Sequence, residues 1–268
     1  MPHAGRDGVV RRRERALERL IHHEGDAAVV RAWAAGPCVR LRAESSSPTA
    51  AEYAVERMRF ALGVDHDLSK FHREFKWHPL LGPIIRRKPW LRPRRRADPW
   101  EALAWAITEQ LIESERAAQI QRRLVYRYGR LSSCGTLRDA PSPATLAARA
   151  PAELEACDLA GKRAIAMIRV AREVAAGRAD LREHEPAWKR LLSIREIGSW
   201  TIDKLAYEGQ GRDDMLPAGD LAYIKLVGAM AGLGRRATED EVHEFFAPFA
   251  PFQGLAGTYL LVGRMALR

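Results

Sequence analysis

Downstream of Asp98, apolar residues return at three- and four-residue intervals, the spacing of one face of a helix. The pattern predicts helices over residues 99–113, 114–128, 162–176, 185–193, 200–209, 221–231, 239–246 and 255–267. Short turns fill 131–155, with breaks at Asp139, Ser142 and Ala150-Pro151. The upstream pattern is mixed. Residues 9–24 read as a charged amphipathic helix with Leu17, Leu20 and Ile21 on one face, and 27–33 and 38–43 read as strands joined at Gly36-Pro37. Thr49 is placed to cap a helix running to about Leu62, and 67–75 and 80–87 are shorter helical patterns. The run 86–96 holds seven basic residues in eleven, and its prolines forbid regular helix, so it reads as a linker. The expected fold class is mainly α: a small N-terminal α/β unit and basic linker over 1–95, then a helical domain over 96–268.

With 268 residues and 47% hydrophobic content, the chain can bury a sizeable core. No apolar run approaches the ~18 residues of a membrane span. The first 18 residues are arginine-rich without an apolar signal core, and Glu14 and Glu18 suit a mitochondrial leader poorly. The formal charge of +10, from 44 basic and 34 acidic residues, favours a polyanionic partner. Cys38, Cys134 and Cys157 are odd in number and far apart, which points to a reducing compartment and no disulfide framework. His66, His72 and His78 lie six apart, off a common helical face. No Walker loop, dinucleotide fingerprint or zinc-ligand set is present.

The most informative stretch is 191–225. Two amphipathic helical patterns flank a tight turn at Ile197-Gly198, and after a polar loop Leu216-Pro217-Ala218-Gly219-Asp220 opens another apolar helix. A turn between helices presents backbone N–H groups to a phosphate. An acidic residue at the mouth of the next helix can face what that phosphate carries.

Together with Asp98-Pro99-Trp100-Glu101-Ala102-Leu103, Ala106-Ile107-Thr108-Glu109-Gln110-Leu111 and Leu159-Ala160-Gly161-Lys162-Arg163-Ala164, this stretch resembles the helix-hairpin-helix DNA glycosylases, in particular their alkylated-base (3-methyladenine type II) branch. The hairpin is Ile194-Arg195-Glu196-Ile197-Gly198-Ser199-Trp200-Thr201, and the resemblance runs from about Asp98 to the C-terminus. It implies base excision from double-stranded DNA by a monomer without cofactor, in the cytoplasm and at the nucleoid when bound. Asp220 falls at the catalytic position; by its local sequence alone it reads first as the N-cap of the helix beginning at Leu221, and the two roles do not exclude each other. Trp200 falls at a position lining the base pocket, where a cationic purine would gain ~0.5–2 kcal/mol per cation–π contact; its alternative is a core aromatic. Leu111, with Gln110 beside it, matches the side chain that wedges between bases; its alternative is a core leucine within a helix.

Ile197 and Gly198, with Lys162 and Arg163, are implied phosphate contacts, and the dense 86–96 run is read as DNA-facing. The hairpin carbonyls of the family bind a monovalent cation; no other metal is implied. Some members carry a C-terminal four-cysteine iron–sulfur cluster, for which this chain has no ligands after Cys157.

Two departures stand out. Glu196 replaces the first hairpin glycine, where a positive φ would strain it. Lys204 replaces an aromatic residue of the branch. Lyase-competent relatives place a nucleophilic lysine at the position of Trp200, so tryptophan there implies a monofunctional enzyme. The rival readings are a non-catalytic helix-hairpin-helix DNA-binding protein and a same-fold glycosylase for deaminated or oxidised bases.

Overall fold

The computed structural model describes residues 5–265. The chain opens with four antiparallel strands in sequential order, β1 (Val10–Arg13), β2 (Ala16–His23), β3 (Asp26–Ala35) and β4 (Cys38–Ser45). The β2–β3 register, His23 opposite Asp26, leaves a two-residue turn in which Glu24 and Gly25 both take positive φ. Such a turn matches the twist of a hairpin. The helix expected over 9–24 is therefore a β-hairpin. Its charges are tolerated in a buried strand because each has a distant partner: Glu18 faces Arg31 at 2.8 Å, and Arg19 pairs with Glu101. Helix α1 (Pro48–Leu62) covers the sheet, burying Ala50, Ala54 and Met58 against Leu17, Ile21, Ala28 and Val30. Its cap is Ser47, not Thr49; the Ser47 hydroxyl accepts from the Ala50 N–H, and Pro48 starts the helix.

Two helical cores follow. One joins α4 (Pro99–Glu109), α5 (Ser114–Tyr128), α6 (Pro143–Ala147), α7 (Pro151–Glu155), α8 (Gly161–Ala175), α9 (His184–Leu192) and α10 (Ser199–Lys204), which runs on through a π turn at Leu205–Gly209. In α4 every residue from Trp100 to Thr108 is buried, as suits a central helix. The other core joins α2 (Ser69–Phe75) and α3 (Gly82–Arg87) to α11 (Leu221–Met230), α12 (Glu239–Phe246) and α13 (Gln253–Met265). The packing thus does not divide at residue 95, because α2 and α3 share a core with the C-terminal helices. The end of the last expected helix, 266–267, lies outside the described residues.

The basic run also departs from a solvated linker. Arg86, Arg87 and Arg94 are exposed. Arg95 instead bonds Asp213 at 2.9 Å, and Arg96 is buried, reaching Asp7 at 2.7 Å and Glu101 at 3.4 Å. Trp105 Nε1 donates to the same Asp7 carboxylate. This buried network fastens the N-terminal segment to α4. Removing one member would strand a charge, at about 3–5 kcal/mol.

Candidate active site

The hairpin joins α9 to α10 at the edge of the first core. Ile197 is buried and anchors the turn, while Gly198 and Ser199 are exposed. No side chain caps α10, so its first N–H groups are open to an anion. Glu196 has φ 74°, so the turn keeps its left-handed residue despite the lost glycine. The Glu196 carboxylate lies 3.6 Å from Arg195, which offsets its charge beside the turn. The carbonyls of Ile194, Glu196 and Gly198 each accept hydrogen bonds within the turn or from Gln110. The Ile194 and Glu196 carbonyls each keep a lone pair and would hold a monovalent cation, whereas the Gly198 carbonyl already accepts from both Thr201 and Ile202.

Leu111 follows α4 with φ 55° and is 104% exposed relative to an extended chain, which excludes a core leucine. A non-glycine residue in this conformation costs about 1–2 kcal/mol, and the surroundings must hold it there. Arg163 Nη1 donates to the carbonyls of Thr108 and Gln110, at 3.1 and 3.0 Å. Gln110 Nε2 in turn donates to the Glu196 carbonyl and Thr201 Oγ1, at 2.9 and 3.0 Å. One nitrogen of Arg163 thus braces the Leu111 loop, and the Gln110 amide nitrogen is engaged by the hairpin. Lys162 stays exposed at the start of α8.

Asp220 is half-buried at the N-cap of α11, at the boundary of the two helical cores. Its Oδ1 accepts from the Ala222 N–H at 2.8 Å, which leaves Oδ2 without a hydrogen-bond partner among the described residues. The capping reading holds, and it fixes the carboxylate without consuming it. The approach is rigid: Asp220 N bonds the Pro217 carbonyl, and Leu216 and Ala218 are buried. A side chain at Gly219 would lie 3.7 Å from Trp200 Cδ1, so the indole and the Asp220 loop are neighbours. Trp200 is half-buried, not a core residue.

Lys204 Nζ lies 5.9 Å from the centre of the Trp200 ring. It pairs with Glu208 and, at 3.2 Å, with Glu109. Burial would release its proton, but Glu208 and Glu109 outweigh burial and hold the amine charged above the usual lysine range. Nearby, Asp203 is buried with no donor within reach among the described residues. Burial first, and then the charge of Glu239, push its carboxyl up to about 7. Glu208 stands one helical turn beyond Lys204, a readable signal. Glu109 and Arg163 join the site through tertiary contacts alone. A groove of about 670 Å³ along α5, lined by Gln119, Arg122 and Tyr126, includes neither Asp220 nor Trp200, so surface volume does not mark this site.

Comparison with known proteins fits this geometry. The family model of the HhH-GPD superfamily base excision DNA repair protein matches residues 104–251. The DNA-3-methyladenine glycosylase of Bacillus subtilis (strain 168) is 26% identical over 204 residues, covering 74% of this chain and 67% of that protein. The DNA-3-methyladenine glycosylase 2 of Escherichia coli (strain K12) is 32% identical over 164 residues, 59% of this chain and 58% of its own. The structure of the 3-methyladenine DNA-glycosylase from Archaeoglobus fulgidus superposes with a TM-score of 0.81 at 21% identity, covering 96% of this chain and 89% of that one, which shows a shared fold. The matched region contains the Leu111 loop, the hairpin and Asp220, and the chain belongs to the HhH-GPD superfamily of base excision DNA repair proteins.

Proposed function

We propose that this protein is a monofunctional DNA N-glycosylase that releases alkylated purines. The observation that carries the reading is the Asp220 carboxylate, tied to the α11 backbone through one oxygen and open at the other, beside the Trp200 indole. In this reading the hairpin N–H groups grip a phosphate and Leu111 fills the gap left by an extruded nucleotide. Extrusion costs a few kcal/mol, offset by wedge and pocket contacts. An alkylated purine is cationic, so it leaves as a neutral base carrying the electron pair of the broken N-glycosidic bond. The sugar develops oxocarbenium character, as in glycoside hydrolysis. Asp220, an anion, stabilises that charge and orients the water that adds to the sugar carbon; the water's proton passes to the carboxylate or to solvent. The product is an abasic site, and the enzyme works at the nucleoid where its substrate is.

Lys204 supports the monofunctional assignment. An imine requires a neutral amine, and this one is held as an ammonium by two carboxylates. The hairpin that a purely binding protein would also use is intact, but such a protein has no use for an open carboxylate beside an indole. The test is base release from alkylated duplex DNA by wild type and Asp220→Asn. Asparagine also caps helices, so the variant folds and binds DNA. Release by the variant at the wild-type rate would remove Asp220 from catalysis.

A further inference from the structure

Beside Trp200 the site is ionic where the resemblance implies an aromatic wall. Glu109, the last residue of α4 and two before Leu111, stands 3.2 Å from Lys204 Nζ. It accepts from Gln121 Nε2 at 3.2 Å, and Arg96 lies 3.8 Å from the same oxygen. These partners fix the carboxylate from the buried side, yet its side chain remains 22% exposed. Lys204 is tethered in the same way by Glu208 and Glu109. Neither charge is free to turn away from what enters.

We infer that Glu109 and Lys204 form a fixed acceptor–donor pair that reads the hydrogen-bonding edge of the extruded base and favours 6-oxopurines, such as 7-methylguanine, over 6-aminopurines, such as 3-methyladenine. The inference rests on the glycosylase reading above. An ammonium has three hydrogens. Two go to the carboxylates of Glu109 and Glu208, and the third meets the O6 carbonyl of a 6-oxopurine. Glu109 Oε2, paired with Lys204 alone, keeps a lone pair to accept from the adjacent N1–H. A 6-aminopurine places N–H hydrogens where O6 would sit, donor against ammonium. A polar site left mismatched in this way rejects a base more strongly than a lost apolar contact does. The indole face is also already engaged by Lys204 at 5.9 Å, which reduces what charge alone contributes to recognition.

The test is single-turnover release from duplexes carrying 7-methylguanine or 3-methyladenine, each rate divided by that base's spontaneous release rate. Both bases are cationic leaving groups, so the normalised ratio reports the edge. Wild type should favour 7-methylguanine by at least about 10-fold. Glu109→Gln, of the same shape, and Lys204→Met should bring the ratio toward one. Lys204→Met strands two carboxylates, so Glu109→Gln carries the comparison, and the wild-type ratio needs no variant. Equal or faster normalised release of 3-methyladenine by wild type, or an unchanged ratio in folded Glu109→Gln, would overturn the assignment of the pair. Release of neither base by wild type would instead remove the glycosylase reading, and the pair's role with it.

Discussion

Truncating Leu111 separates recognition from folding more cleanly than any other change in the site. The side chain is 104% exposed, so Leu111→Ala removes no packing from the free protein. Alanine inherits the φ of 55°, so the backbone strain is unchanged. Stability should therefore stay within about 0.5 kcal/mol of wild type. On a duplex with a vacated base position, the wedge passes from full exposure to full burial. For leucine that transfer is worth about 1.5–3 kcal/mol. The variant should bind a duplex containing an abasic-site analogue about 10- to 150-fold more weakly. Binding to undamaged duplex rests on phosphate contacts and should change by less than about twofold. Fluorescence anisotropy on both duplexes at one fixed salt concentration, beside a urea melt of the free proteins, measures all three quantities. Equal losses on the two duplexes, or a fall in stability of more than about 2 kcal/mol, would show that Leu111 is not a wedge.

Glu196→Gly should stabilise the fold by about 1 kcal/mol by relieving a left-handed glutamate, and should tighten DNA binding by removing a carboxylate beside the turn; urea melts and anisotropy check the two effects. Asp203 predicts a pH dependence. The folded protein keeps its carboxyl proton up to about 7, whereas the unfolded chain gives it up near the ordinary value of 3.8. Its contribution is full below 3.8, falls as pH rises through that window and is lost above about 7, on the order of 4 kcal/mol in all. Asp203→Asn should flatten that slope in urea melts between pH 4 and 8, and an unaltered slope would count against a buried unpaired carboxyl. Borohydride should trap no covalent enzyme–DNA adduct; a trapped adduct would mean that an amine attacks the sugar.

Much of the helical architecture was legible because local periodicity and short-range capping express themselves within one or two turns of chain. The spans 114–128 and 239–246 agree with α5 and α12 at both ends. The hairpin and Asp220 could be picked out because each combines a turn signal with a chemically distinctive residue, whereas Leu111, read within a helix over 99–113, was singled out by the resemblance alone. The short α6 and α7 were hidden in a stretch read as turns. The first hairpin of the sheet was misread for a physical reason: Leu17, Leu20 and Ile21 suit a helical face, and nothing near in sequence announces that Arg19 will find Glu101 or that Glu18 will find Arg31. The basic run misled in the same way, because Arg95 and Arg96 find their acids at Asp213, Asp7 and Glu101.

The sequence by itself determined most of the long helices after Asp98, where the candidate hairpin and Asp220 stand along the chain, and that a lysine sits near the tryptophan. Only the tertiary structure decided what each charge does. It turned Arg163 into a brace for the Leu111 loop, tied Gln110 to the hairpin, and set Glu109 against Lys204. The reason is electrostatic. A charge in water is nearly indifferent to its neighbours, but once buried it must be paired, and its partner is chosen by the fold rather than by adjacency in the chain.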